Sequence, residues 1–407
     1  MVNSRDVKKF TSGVSSIIIL CVFLYPPVIW AYTQLNLAIR IVQIFLGIMI
    51  FLVYVMDKIK EFKCGEFKSK FIIMLIIYYI YLFIVTYIND GRIVNLCSQA
   101  MQFVIFCMYL ELVIKYNLNT IYSKCFWILY LNVSINLLTL IFLKNGVYST
   151  VYFDNNYFLG YDNQHINYFL PLMILNILRY KSYKKDKSLA IIVISIVILS
   201  AFIIKSGMTT IMVLGLSVFS LLIIYDNNKF SKFLINNRFF NYFYLLSFDI
   251  LLNIGIVTFN IQKYFSFIIE KILNKSVTLS NRIYIWESTI NLIRTKPIFG
   301  RGMQEYSQRA LMMGFGENSP AGLHSHNRFL EVLYSGGLVL FSFFVYILIY
   351  IGSFLEEFKD SIQTKIIVLG LIIYLFGMIT EFYSYSIFFW GLMLMAEKIE
   401  YLVPKEK

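Results

Sequence analysis

Apolar runs of bilayer length recur along almost the whole 407-residue chain, separated by short turns that collect lysine and arginine. This feature restricts the fold more than any other. A helix needs about 20 mostly apolar residues to cross the hydrocarbon core. Hydrocarbon also leaves backbone groups no partner outside the protein. The length rule predicts spans over 14–33, 36–56, 71–88, 93–114, 125–143, 164–178, 189–204, 208–225, 239–259, 328–352, 365–383 and 385–400. The expectation is an all-α, polytopic integral membrane protein of about 12 transmembrane helices, with one large loop between helices 9 and 10. Pro26-Pro27 should kink the first span, because proline bars helical geometry in the residue before it.

Composition excludes the main alternatives. With 59% hydrophobic and 14% charged residues the chain is too apolar for a soluble domain. The net charge of +13 would suit nucleic acid if it lay as a stripe on one face. Instead the cations sit between apolar runs. One side of the membrane receives Arg5/Lys8/Lys9, Lys58/Lys60/Lys63/Lys68/Lys70, Arg179/Lys181/Lys184/Lys185/Lys187, Lys229/Lys232/Arg238, Lys359/Lys365 and the C-terminal tail. The short loops of the other side hold only Arg40, Arg92, Lys144 and Lys205. Under the positive-inside rule both termini are cytoplasmic and 260–327 is extracytoplasmic. The chain then divides into 1–259 (helices 1–9), 260–327 (the large loop) and 328–407 (helices 10–12 and tail). The basic N-terminus and first apolar run resemble a signal peptide but lack a small-residue cleavage site, so an uncleaved span is expected. The five cysteines form no CxxC pair, which supports neither a zinc site nor a disulfide framework.

The large loop carries the chemistry. Arg282 falls in the first turn of a helix that Lys296-Pro297 should end, with Ile283, Trp286, Ile290 and Ile293 on one face. A cation opposes the helix dipole there unless an anion binds it; snorkelling to lipid headgroups is the plainer alternative. Gly300-Arg301-Gly302 permits a tight turn or a close backbone approach, and Arg301 and Arg309 add positive charge. His324-Ser325-His326-Asn327 leads into the tenth span, and alternation predicts that only one histidine faces a shared site. Gly336-Gly337 reads as a helix-packing contact. Lys205 and Glu381, at membrane boundaries, carry the burial penalty of ions near lipid and are further candidates. A second outer loop, 144–164, is rich in tyrosine; these rings read first as interfacial anchors and alternatively as stacking faces for sugars.

Asn281-Arg282-x-x-x-Trp286, Pro297-x-x-Gly300-x-Gly302 and His326-Asn327 with Gly337 beyond them, in that order on a long loop between helices 9 and 10, resemble the O-antigen ligase and polysaccharide polymerase family of membrane glycosyltransferases. The resemblance implies a substrate of oligosaccharide joined through diphosphate to undecaprenol. It also implies a metal-independent inverting transfer with no cofactor, at the outer face of the bacterial cytoplasmic membrane. A flippase and a chain-length regulator are the implied partners. By that resemblance Arg282 clamps the diphosphate and His326 stands at the reacting centre, with Glu381 as the alternative base. Lys205, Arg301, His324, Trp286 and Asn327 are the expected substrate contacts. The family often carries an arginine in the hairpin before the eighth span; here Lys205-Ser206-Gly207-Met208-Thr209 has none, and a lysine cannot give the same two-pronged contact. A repeat-unit polymerase ranks first, an O-antigen ligase second and a lipid-linked oligosaccharide flippase third.

Overall fold

The structure is a computed structural model that describes residues 4–64, 69–150, 153–183, 186–204, 206–225, 240–261, 264, 267, 282–316, 319, 323–381 and 386–404. Among them lie the helices Ser4–Ser12 (α1), Val14–Phe23 (α2), Thr33–Lys63 (α3), Lys70–Ile88 (α4), Ile93–Asn117 (α5) and Phe126–Phe142 (α6). Then come Ile166–Tyr183 (α7), Lys187–Ile204 (α8), Gly207–Ile224 (α9) and Tyr242–Phe259 (α10). The large loop contributes Arg282–Thr295 (α11) and Tyr306–Met312 (α12), followed by Arg328–Glu357 (α13), Ile362–Gly377 (α14), Ile387–Glu397 (α15) and Ile399–Leu402 (α16). The described residues contain no strand, only two isolated bridges in the 144–164 loop. Eight of the described helices are long and apolar enough to cross a bilayer, and α2, α14 and α15 are shorter apolar helices. The protein is thus an all-α polytopic membrane protein.

The first span departs from expectation. Helix α2 stops at Phe23, and Pro27 opens a separate 3-10 turn, Pro27–Ala31. Two consecutive prolines lack the amide donors a helix needs and clash with its preceding turn, so the chain breaks where a kink was expected. Helix α3 is correspondingly long, at 31 residues.

Helix α5 packs against α1, α3, α4 and α15, while α7 packs against α6, α8, α9 and α14. The two groups join where α14 meets α15. Tyr109, Phe126, Phe169, Phe344 and Trp390 are fully buried within the bundle. Phe45, Phe248 and Leu251 stay exposed on the outside, as suits a surface facing hydrocarbon. At one end of the bundle Lys58 reaches Glu111 (2.7 Å), Lys398 reaches the same carboxylate (3.2 Å) and Lys115 reaches Asp57 (2.9 Å). These pairs tie α3, α5 and the α15–α16 junction, because buried charges near lipid are tolerated only when paired.

Helix α13 is interrupted at Gly337, whose φ of 63° and ψ of −163° no L-residue adopts readily. The backbone groups released by the break are taken up by the loop. Arg301 N donates to Tyr334 O (2.9 Å) and Gly302 N to Ser335 O (2.8 Å), while Leu338 N donates to Pro297 O (2.8 Å). The two segments touch through glycine: a Cβ on Gly300 would lie 2.5 Å from Gly337 N, and one on Gly337 would lie 2.2 Å from Ile298 O. Gly336-Gly337 is therefore a loop-to-helix lock and not the helix-to-helix contact expected from sequence. It clamps the large loop to the membrane bundle.

Candidate active site

The turn that carries the histidines is fixed from below. Asn327 caps α13, its Oδ1 accepting from Leu330 N (3.0 Å), and its Nδ2 donates to Ile379 O (3.0 Å). One turn further, Glu331 accepts from Ser325 N (2.8 Å) and Ser325 Oγ (2.7 Å), and from both Nη atoms of Arg309 at 2.7 Å. The Arg309 guanidinium also lies 4.1 Å from the centre of the Tyr334 ring. This network holds His326 at φ 51°, the left-handed region that non-glycine residues enter at a cost. The twist defeats the alternation expected of i and i+2 side chains, and the rings of His324 and His326 meet with centroids 4.1 Å apart.

The hydrogen bonds assign the two imidazoles opposite roles. His326 N donates to His324 Nδ1 (3.2 Å). Burial, and then the neighbouring His326, Arg309 and Arg282, hold the His324 pKa well below 6.5. His324 is therefore neutral with its proton on Nε2, where it can only donate. His326 Nδ1 faces Glu381 Oε2 at 3.4 Å. A carboxylate accepts, so Nδ1 carries a proton, and the lone pair of the neutral ring lies on Nε2. One ring offers a donor and its neighbour an acceptor.

Glu381 follows the C-terminal end of α14 and is 3% exposed. Its Oε1 accepts from Arg282 Nη2 and from Asn163 Nδ2 (2.6 Å). Asn163 in turn accepts from Ser206 Oγ (2.6 Å), which caps α9. Arg282 reaches the carboxylate because it lies on the packed face of α11, in line with Trp286 and Thr289. That face comprises Ile285, Trp286 and Thr289, so the apolar face expected from Ile283, Ile290 and Ile293 is rotated. Arg282, His326 and Glu381, far apart in the chain, thus form one cluster.

Other expected residues stand elsewhere. Arg301 sits at the opposite end of α11, about 20 Å along the helix from Arg282 at 1.5 Å per residue. There it donates to Thr295 Oγ1 and Leu292 O, so it is not part of the cluster. Arg309 is engaged by Glu331, which removes its charge from any clamp. Asn327, fully buried with both polar atoms engaged, shapes the turn and has no atom left for a ligand. Trp286 is 1% exposed and packs inside, so its ring is not a substrate platform. Lys205 and Asn281 lie outside the described residues. Sequence reasoning missed Glu331 and Asn163. The first had a signal, an acidic residue in the first turn after a cap-forming Asn; Asn163, in a loop, had none.

Between this cluster and the N-terminal third of the chain lies a cavity of about 230 Å³. His324 and Glu381 line it together with Tyr25, Trp30, Gln102 and Tyr168.

Comparison with curated proteins and with solved structures gives no match. Residues 164–345 match the family model described as O-antigen ligase. The matched segment contains Arg282, His324 and His326 and the whole glycine lock, and over it this chain is similar to the O-antigen ligase family.

Proposed function

We propose that the protein is a glycosyltransferase that polymerises undecaprenyl-diphosphate-linked repeat units at the extracytoplasmic face of the cytoplasmic membrane. The observation that supports this most is the Glu381 carboxylate, which pairs with Arg282 on one side and with His326 on the other. A guanidinium has five N–H donors, more than one carboxylate can take, and its planar fork matches phosphate oxygens. In the proposed reaction His326 Nε2 removes the proton of an acceptor hydroxyl. That oxygen attacks the anomeric carbon of the donor sugar, forming the new C–O bond. The bond from that carbon to the diphosphate oxygen breaks, and its electron pair leaves with the diphosphate, whose developing charge Arg282 offsets. Glu381 stabilises the resulting imidazolium. The chain contains no Asp-x-Asp pair, in keeping with charge neutralisation by side chains. In this reading Lys205 is a second cation of the site.

The description of the matched family favours a second reading, in which the same chemistry transfers a finished chain onto lipid A core. One experiment separates them. Purified protein is given a single lipid-linked repeat unit, with or without lipid A core, and the products are run on a gel. A ladder from the repeat unit alone supports the polymerase. Product only when core is present supports the ligase. Movement of the substrate across a vesicle without a new bond overturns both.

A further inference from the structure

The cavity beside the cluster differs from its surroundings in one respect: among the described residues that line it, none is lysine or arginine. Among the described lining residues a diphosphate would find no counter-charge, and Arg282 stands behind Glu381 rather than on the wall. Nor does it suit a polyprenyl tail, because the amides of Gln102, Asn163, Gln164 and Asn167 line it and have no use for hydrocarbon. Amides beside aromatic rings are the surface that a neutral saccharide needs. Rings cover the apolar faces of the sugar, and amides pair with its hydroxyls.

Two of these amides have an unmet hydrogen-bonding atom. Asn167 Oδ1 is buried and accepts no hydrogen bond. Gln102 Nε2 donates to Gln43 Oε1 (3.1 Å), and Gln43 Nε2 donates to Val22 O (3.0 Å). That relay fixes the Gln102 amide, and among the described residues no donor reaches its oxygen. Both atoms are acceptors, matched to hydroxyl protons. The aromatic side is built by the break in the first span. Beyond Pro26-Pro27 the 3-10 turn presents Trp30, half-exposed, with its Nε1 donating to Tyr25 Oη (3.0 Å). Tyr168 Oη donates to Tyr25 O (2.7 Å), which ties the turn to α7.

From this geometry we propose that the cavity is the acceptor-sugar subsite, and that Trp30, Gln102 and Asn167 select which saccharide is extended. The inference rests on the transfer reaction proposed above. It assigns the cavity to the end of the substrate remote from phosphate, because the reacting hydroxyl of an acceptor needs a base nearby and no cation. Two of the three selecting residues come from the N-terminal third of the chain, outside the segment that matches the family model. Sugar choice then resides in a part of the protein separate from the bond-forming residues.

The test uses the full-length protein in detergent. The first probe is its own repeat-unit oligosaccharide, released from the carrier by mild acid and freed of phosphate. The second is undecaprenyl diphosphate. Trp30→Ala and Gln102→Met are each expected to weaken oligosaccharide binding roughly tenfold, through a lost ring contact and a lost hydrogen bond. Neither should change the binding of undecaprenyl diphosphate. Arg282→Lys should do the reverse. Trp30→Phe, which keeps a ring, should restore most of the binding and guards against loss of fold in the alanine variant. Oligosaccharide binding that is unchanged in both wall variants, or displacement of the oligosaccharide by undecaprenyl diphosphate, overturns the subsite. If the wall variants lose the oligosaccharide but the intact protein forms no bond between lipid-linked units, the subsite stands and the transfer reading fails.

Discussion

Glu381→Gln replaces one oxygen by an NH₂ group and leaves the side-chain shape unchanged. In the wild-type protein both carboxylate oxygens accept: Oε1 from Arg282 and Asn163, Oε2 from His326 Nδ1. An amide has one acceptor and must place its nitrogen at the other position. If the nitrogen faces His326, the imidazole must offer a lone pair at Nδ1, and its proton moves to Nε2, where the base is needed. If it faces Arg282 and Asn163, two donors oppose a donor. Loss of a positioned general base lowers rates about 10²- to 10⁴-fold, which is about 2.7–5.4 kcal/mol at 1.36 kcal/mol per decade. The assay is the initial rate of product formation by purified protein from a lipid-linked repeat unit at saturating substrate, with thermal melting in detergent as the check on folding. We expect kcat to fall by at least 10²-fold with KM within about threefold. A Glu381→Gln enzyme that keeps more than a fifth of the wild-type rate would refute the role of the carboxylate in fixing His326.

Arg282→Lys should abolish chain growth while the protein remains folded in the membrane, because an ammonium lacks the two-pronged contact; near-normal product length on a gel would sink the diphosphate assignment. Asn163→Ala removes a 2.6 Å hydrogen bond to Glu381 and should lower kcat about 10-fold, the equivalent of one charge-assisted hydrogen bond, with binding of undecaprenyl diphosphate intact. Gly337→Ala places a Cβ 2.2 Å from Ile298 O at φ +63°. It should destabilise by more than the about 1–2 kcal/mol of the left-handed conformation alone, read as a lowered melting temperature. Stability should also fall below about pH 6.5. Burial depresses His324 well below 6.5, so the unfolded chain binds more protons in acid. Stability then falls as the unfolded chain takes up protons that the folded chain does not, and His324→Asn should flatten the fall in melting temperature below that pH.

The length rule located the helices well because backbone burial in lipid is an absolute requirement that composition reveals. It failed at Pro26-Pro27, where an apolar run continues although the helix does not. Arg282, His326 and Glu381 were legible singly, as ions or imidazoles at the edge of lipid. Their convergence was not, since it depends on the rotation of α11 and the left-handed turn at His326. Arg301 and Asn327 misled for a common reason. A polar residue in a functional loop can be engaged entirely in holding that loop, and only its partners reveal which. Asn163 was invisible because its importance comes from contacts with Ser206 and Glu381, residues far from it in sequence.

The interruption at Gly337 also bears on how the protein is made. A membrane helix normally enters the bilayer with every peptide group already matched inside itself. The span that begins at Arg328 does not: Tyr334 O and Ser335 O depend on amides of Arg301 and Gly302. Synthesis runs from the N-terminus, so those amides leave the ribosome before their acceptors do. The segment around Arg301 is then available as a template when this span partitions into lipid, and biogenesis itself imposes an order in which the extramembrane segment must be placed before the helix can seal.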